Sequence, residues 1–508
     1  MNEQYGIIDI GSNTMRLVIY EQHSGGFHHE IENTKVTARL RKYLVNGTLT
    51  SEGIRVLLST LEQFQESTRF HQLQRVICTA TATIRQASNQ EEVKRLVEEH
   101  TDFKLRILSE FEEAYYGYLA VINSTSFKEG ITIDIGGGST EITYFHNREL
   151  VNYHSFPFGA LSLRQQFVKG DVPTVGEYIE LQRYLLEQFQ TLPWICKKGI
   201  PVIAIGGSAR NMVKIHQNMI SYPISGLHQY EMDKSDVELV LQHIASIDFA
   251  ELQKLEGLAK DRADTIIPAV EVFHTLLQVT EASSFILSRK GLREGLFYEE
   301  ITKPFGVLYY PNVVEESFHL LAHEYEIDMH YVMQLMKHTT ALCKELEKCY
   351  AASFTKEDLH FIRRAAKVYN IGKYIDEESS SQHTFYLLAN KTIDGIMHKD
   401  RVKLALLASY KSKLSFKQYI KPFETWFSKE EQRKIRMAGA ILQFAAALNV
   451  TKRNAVEAIN ILESEEGLII YIWCCQKVLA EKVEAEKQKK QLEKALKRNI
   501  KLHFQIRS

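Results

Sequence analysis

The sequence predicts an α/β protein, with two related lobes of mixed sheet and crossover helix around a cleft, then an all-helical domain, then a small C-terminal α+β segment. Three observations carry this expectation. Short β-branched runs alternate with helix-spaced segments over roughly the first 300 residues. The stretch "IIDIGSNTMRLVI" at 7–19 returns in near copy as "TIDIGGGSTEIT" at 132–143. Beyond about residue 305 strand candidates become few and helical patterns take over. The expected boundaries are 1–123 and 124–305 for the lobes, 306–462 for the helical domain and 463–508 for the C-terminal segment.

Taken in order, "YGIIDIG" and "RLVIY", joined by the turn residues "GSNT", predict a β-hairpin. "TSEGIRVLLSTLEQFQESTRF" at 50–70 opens with a Thr/Ser cap and repeats apolar residues at helical spacing. "RVICTATAT" predicts a buried strand. "EEAYYGYLAVI" predicts a helix with its stripe on Phe111, Tyr115, Tyr118, Leu119 and Ile122. On that helix Glu113 lies about 200° from Phe111, at about 100° per residue, and so points away from the stripe. "GITIDIGGGSTEITYFHN" repeats the glycine-interrupted hairpin, and "PVIAIGGSARNMVKI" at 201–215 is a third junction of strand, glycine and helix. From 313 to 460 nearly every pattern is helical. The end reads as strand ("GLIIYIW"), helix ("LAEKVEAEKQKKQLEKALKR") and strand ("IKLHFQI"). From Gln476 to Ser508 ten Lys/Arg stand against four Glu, which suits either an anion-attracting face or a solvated helix with i,i+4 Glu–Lys pairs.

A chain of 508 residues exceeds one core, and a formal net charge of −1 gives no global field to draw it to nucleic acid or membrane. Neither is expected as a partner, so any anion site must be local. The six cysteines form no CxxC pair and no zinc spacing, which predicts reduced thiols. "MNEQYGIIDIG" lacks a basic stretch followed by a long apolar one, and no run approaches about 18 apolar residues. The expectation is a cytoplasmic protein without signal peptide or transmembrane helix.

The glycine junctions carry the chemistry. A strand that ends in glycine presents backbone N–H groups at close range to an anion, and a helix starting just beyond adds its own. Three places share this design. They are Gly11 with Ser12, Asn13 and Thr14; Gly136, Gly137 and Gly138 with Ser139 and Thr140; and Gly206 and Gly207 with Ser208. Asp9 and Asp134 occupy equivalent positions before their glycines, and Glu141 follows Asp134 by seven residues. Hard carboxylate oxygens beside phosphate suit a bridging Mg²⁺ or a held water. The alternative is that Asp134 caps a turn and Glu141 is a surface strand residue.

"DIGSNT" at 9–14, "TATATIR" at 79–85, "EFEEAYYGY" at 110–118, "DIGGGSTE" at 134–141, "AIGGSARN" at 204–211, "DRAD" at 261–264 and "GLREG" at 291–295 together resemble the exopolyphosphatase / guanosine pentaphosphate phosphatase family. That family belongs to the actin- and hexokinase-like superfamily, with ribonuclease H-like lobes. The resemblance implies two actin-like lobes and hydrolysis of a terminal phosphoanhydride, in inorganic polyphosphate or in pppGpp. By the same resemblance Glu113 is the general base and Arg85 contacts phosphate. Gly136–Gly138 with Ser139, and Gly206–Ser208, cradle the reacting group. Asp134 and Glu141 position Mg²⁺ or the attacking water, and the protein acts as a homodimer.

The helical segment resembles an HD-type domain that has lost its metal set. His338 fits the first ligand, but Tyr369-Asn370 replaces the His-Asp pair and Ala446 stands where the later Asp belongs. Tyr, Asn and Ala cannot replace those ligands, so a metal-free domain is expected, with His360 and His383 as ordinary helix histidines. Its expected work is to extend a binding channel, to dimerise, or both. Two other classes stay open: a sugar or acetate kinase of the same superfold, and a catalytically silent polyphosphate or nucleotide sensor.

Overall fold

Five strands make the first sheet of the computed structural model, which describes residues 3–23, 28–73 and 75–507. They are β1 (Glu3–Ile10), β2 (Met15–Gln22), β3 (His28–Val36), β4 (Arg75–Ala80) and β5 (Leu105–Ile107), in the order β3-β2-β1-β4-β5. The first three form an antiparallel meander, and β4 and β5 extend the sheet parallel to β1. The second sheet holds β6 (Glu129–Ile135), β7 (Thr140–His146), β8 (Glu149–Phe156), β9 (Val202–Ile205), β10 (Tyr230–Met232) and β11 (Phe285–Leu287). Its order is β8-β7-β6-β9-β11-β10. Here too a meander is continued by two parallel strands, with antiparallel β10 added at the edge. The sequence echo is therefore a repeat of topology. Ile7, Ile8 and Ile10 of β1 and Ile131 and Ile133 of β6 are all buried, as in sheets covered by helices on both faces.

Helix α1 (Ser51–Phe70) starts where the Thr50 side chain accepts from the Gly53 N–H, and it buries Leu57, Leu61 and Phe64 against the first sheet's core. Helix α2 (Glu110–Ser124) opens with a capping box between Ser109 and Glu112. Then come α3 (Gly206–Met219), α4 (Ile266–Thr280) and α5 (Leu292–Thr302). Helices α2 and α5 approach so closely that a Cβ on Gly295 would lie 2.0 Å from the Tyr116 carbonyl oxygen. Helix α2 packs on β6, β7 and β8, while α5 returns to the first sheet against β1, and its Phe297 stacks on Tyr20 of β2 with ring centroids 4.0 Å apart. The expected lobe boundary at 123/124 thus assigns both helices by chain order, whereas packing exchanges them.

Other expectations need correction. The strand expected over "RVICTATAT" stops at Ala80, opposite the last residue of β1. With no partner strand beyond Ile10, Thr81 donates to the Ile10 carbonyl at 3.2 Å and residues 82–85 coil into a helical turn. The α2 stripe is also different. Phe111 is 41% exposed and packs on Tyr115 and Tyr153, whereas Tyr116, outside the expected stripe, is buried. Helix α2 is flanked by a sheet and by α5, so burial from Ala114 onward runs nearly all round it.

The chain divides into two compact units, one ending at Val314 and one beginning at Glu315. The second contains α6 (Met329–Lys348), α7 (Lys429–Ala447) and α8 (Leu479–Leu496) among shorter helices. It also contains a sheet of β12 (Val456–Ser464), β13 (Gly467–Cys474) and β14 (Ile500–Ile506). Strand β12 pairs antiparallel with β13, and β14 parallel to it. The boundary expected at 462/463 falls inside β12, so the helices and the sheet are one unit. Among the described residues no helix is long and apolar enough to cross a membrane.

Candidate active site

The two glycine loops of the repeat are built alike. The Gly11 N–H donates to the Thr14 carbonyl at 3.0 Å, and the Gly136 N–H donates to the Ser139 carbonyl at 2.9 Å. The loop carbonyls are tied back by backbone donors. Ser12 and Asn13 accept from Arg41 and Arg39, and Gly136 and Gly137 accept from residues 160–162. Engaging those oxygens removes acceptors that would repel an anion. The loops also meet: a Cβ on Gly137 would lie 3.8 Å from the Ser12 Cβ. Beneath them runs Gly159, where a Cβ would strike the Gly136 oxygen at 2.5 Å, so only glycine passes.

At the third junction Gly206 has φ +91°, and a Cβ there would stand 2.5 Å from Asp134 Oδ1. Close approach and left-handed backbone both demand glycine. Gly206→Ala is expected to destabilise the protein by about 1–3 kcal/mol in urea unfolding and to lower turnover, because Asp134 must move. Unchanged stability would remove this contact from the account.

Strand register places the carboxylates. Asp134 sits directly across from Glu141 in the β6/β7 pair, while the corresponding β1/β2 pair sets Asp9 across from Arg16. The same hairpin thus offers two acids in one lobe and an acid with a cation in the other. Together the junctions surround a cavity of about 530 Å³. Asp9, Gly11, Ser12, Asn13, Thr14, Glu113, Asp134, Gly136, Gly137, Ser139, Glu141 and Gly206 line it. Gly138, Gly207, Ser208 and Arg85 do not. Gly207 lies under the Arg262 guanidinium, and Ser208 Oγ is 3.4 Å from Arg262 Nη1. Arg85 is turned to other partners, donating to Glu113 Oε2 at 2.9 Å and to the Leu108 carbonyl at 2.8 Å. Its Nη2 is buried without a hydrogen-bond partner.

The acids disturb one another. Burial raises Glu113 to a pKa of about 7; Arg85 opposes this, and the charges of Asp134 and Asp9 add to it. Asp134 is raised to about 6 by burial, opposed chiefly by Arg210 and reinforced by Asp9. Glu141 is buried and pushed well up by desolvation and by Glu113 and Asp134, although Ser155 donates to it at 3.1 Å. Cations balance them. Arg293 donates to Asp9 at 2.9 Å, and Arg39, Arg41, Lys42, Arg210, Lys260, Arg262 and Arg289 also line the walls. Burial lowers Arg16, Arg210 and Arg262, and neighbouring guanidinium groups lower Arg16 and Arg210 further. Such crowding of like charge suits an anionic ligand.

The donor chemistry also suits a hard cation. Among the described residues, no three cavity carboxylates bring oxygens mutually within 4.8 Å. A divalent cation held there would take one or two of these carboxylates, with water completing its shell. The sequence assigns no role to Arg41, Arg210, Arg262 or Arg293, all of which line the cavity. Arg262 and Arg293 lie inside "DRAD" and "GLREG", and Arg210 is one turn into α3, so a signal existed for those three. Arg41 carried none.

Of the residues at the expected HD-type ligand positions, His338 is buried and its Nε2 donates to the Val456 carbonyl at 3.1 Å. Burial also lowers its pKa, favouring the neutral ring. Tyr369 and Ala446 offer no replacement ligand, and His360 and His383 are exposed and half-buried helix residues.

Residues 18–304 match the model of the Ppx/GppA phosphatase family, and residues 313–495 match Ppx/GppA phosphatase, domain III. Exopolyphosphatase 1 of Mycobacterium tuberculosis is 25% identical over 302 residues, covering 58% of this chain and 88% of that protein. The guanosine-5'-triphosphate,3'-diphosphate pyrophosphatase of Pseudoalteromonas translucida is 23% identical over 420 residues, 81% of each chain. The crystal structure of the Aquifex aeolicus Ppx/GppA family member superposes with a TM-score of 0.55 at 25% identity, covering 60% of this chain and 99% of that one. An exopolyphosphatase structure from Cytophaga hutchinsonii gives a TM-score of 0.54 at 21% identity, covering 61% and 100%.

Proposed function

The chain belongs to the Ppx/GppA phosphatase family, and from that membership we propose that it hydrolyses the terminal phosphoanhydride of inorganic polyphosphate, releasing phosphate. The observation that carries the reading is a cavity in which glycine loops and many cations surround Glu113, a carboxylate raised to a pKa of about 7. pppGpp is the second reading, favoured by the alignment with a pyrophosphatase over most of both chains.

In the proposed mechanism the terminal phosphate rests on the loops at Gly11–Thr14 and Gly136–Ser139, with Arg210, Arg262 and Arg293 facing its charge. Glu113 takes a proton from water, whose oxygen attacks the terminal phosphorus. The bridging P–O bond breaks, and the shortened chain leaves with the electron pair. Asp134 and Glu141 hold Mg²⁺ or the attacking water; when bound, Mg²⁺ neutralises charge on the phosphate oxygens. Arg85 serves here through Glu113, orienting its carboxylate and holding down its pKa. Positioning and charge neutralisation supply most of the rate in such transfers.

A basic groove in the second unit supports the polymer as substrate. Lys413, Lys417, Arg433, Arg436, Lys494 and Lys497 line a cavity of about 850 Å³ with no acid in its wall. A homodimer, implied by the resemblance, and a cytoplasmic location, expected from the cysteine pattern and the N-terminal sequence, are part of the same proposal. The test is phosphate release with Mg²⁺ from long-chain polyphosphate and from pppGpp at equal concentrations of cleavable ends. Faster release from polyphosphate is expected, with a KM that rises more steeply with salt than that for pppGpp. Preference for pppGpp would move the enzyme to nucleotide hydrolysis. Release from neither, with polyphosphate still bound, would leave a sensor.

A further inference from the structure

We infer that Glu21, His23 and His29 form a binding site for one borderline divalent metal ion, of which Zn²⁺ is the fitting example. It lies at the end of the first hairpin remote from the catalytic cavity. Glu21 stands directly across from His29 in the β2/β3 pair, so the two share one side of the sheet, and His23, one residue beyond the end of β2, reaches the same Glu21 carboxylate. The neighbouring His28 goes to the other side, where its ring packs edge-on against Phe297 at 5.0 Å. The sequence "HSGGFHH" therefore supplies three imidazoles, and the strand register turns His29 rather than His28 toward the carboxylate that His23 also meets.

The ligand atoms of Glu21, His23 and His29 lie within 4.8 Å of one another. His23 Nε2 is 3.3 Å and His29 Nε2 is 3.9 Å from the same oxygen, Glu21 Oε2. The two rings are nearly parallel, with centroids 5.4 Å apart. Nitrogen and oxygen donors bound about 2.0–2.1 Å from a tetrahedral ion stand roughly 3.3 Å apart, so only a small closure is needed. The other carboxylate oxygen, Glu21 Oε1, accepts from Gln4 Nε2 at 3.0 Å. That bond aims Oε2 at the histidines, the kind of outer-shell support that metal sites use.

Ligand type separates this site from the catalytic one. Two imidazoles and a carboxylate select Zn²⁺, Ni²⁺ or Cu²⁺ over Mg²⁺, while carboxylate oxygens without imidazole, as in the catalytic cavity, select the reverse. Three protein ligands leave a fourth position for water. The β1/β2 ladder pairs Asp9 with Arg16 at the cavity end and Gln4 with Glu21 at the other, five residues or about 17 Å along the strand. An ion there clips β2 to β3 without entering the catalytic cavity.

The test uses the chelator-stripped full-length protein, titrated with Zn²⁺ and with Co²⁺ in millimolar Mg²⁺ against a chromophoric competitor. A Cys475→Ser background removes the exposed thiol. One ion per chain is expected, with Co²⁺ giving a visible four-coordinate spectrum. His23→Ala and His29→Ala should each weaken binding at least tenfold while leaving Mg²⁺-supported phosphate release and the circular dichroism unchanged. Binding no tighter than millimolar, or undiminished in the double variant, would overturn the site. The three residues would then make side-chain contacts of imidazole with carboxylate only.

Discussion

Glu113→Gln is expected to cut phosphate release by about 100-fold or more while polyphosphate binding stays within a few fold of the wild type. The substitution is close to isosteric. Its amide oxygen can still accept from Arg85, so the wall of the cavity keeps its shape, and what is lost is a group able to take a proton from water. Single-turnover release and equilibrium binding, measured on the same preparation, separate the two effects. Near-normal turnover would remove Glu113 from the base role and pass it to Asp134 or Glu141, both buried in the same cavity with raised pKa values.

Replacement of Arg85 by Met is expected to move the pH profile rather than abolish activity. The base must be ionised to work, so kcat/KM of the wild type should rise with pH through about 7. Arg85 lowers the Glu113 pKa by its charge and its 2.9 Å hydrogen bond, and the buried carboxylate keeps its other perturbations when the guanidinium is gone. The pKa therefore climbs, and the acid limb shifts to higher pH by about 1–2 units. At pH 7 the rate should fall roughly tenfold or more, with recovery toward the wild-type value on the alkaline side. A raised KM at every pH with an unmoved limb would instead make Arg85 a direct phosphate contact, the role the family resemblance implied.

The two substitutions probe residues whose status in the sequence was unequal. Glu113 could be placed on the cavity side from helical spacing relative to Phe111, even though the stripe used for that reasoning was partly wrong. The geometry survived because Glu113 and the exposed Phe111 do lie on different sides of α2, while the buried face broadened to include Tyr116. Arg85 was legible only as a cation near a phosphate loop. Whether it faced the substrate or another side chain depended on where α2 came to rest, 28 residues later in the chain.

The hairpin repeat and the glycine junctions were legible because they are local. A turn that needs a missing Cβ, or a strand that buries isoleucines on both faces, is dictated by neighbours in sequence. Strand β3 (His28–Val36) was not legible: it is an edge strand, largely polar and at most half-buried, so it carries no apolar alternation. Strand β12 was lost for a related reason, since its inner residues read as an extension of the helical segment before it.

By itself, then, the sequence determined that two aspartate–glycine hairpins and a third glycine junction recur in an α/β chain. It also determined that the residue types there suit phosphate and a hard cation. Only the tertiary structure decided that α2 and α5 exchange sheets, that Asp134 is pressed against Gly206, that Arg85 spends its charge on Glu113, and that Arg41, Arg210, Arg262 and Arg293 converge on one cavity. The reason is physical. Backbone conformation is set within a few residues, whereas a buried charge takes its meaning from groups brought beside it by packing, at any distance along the chain.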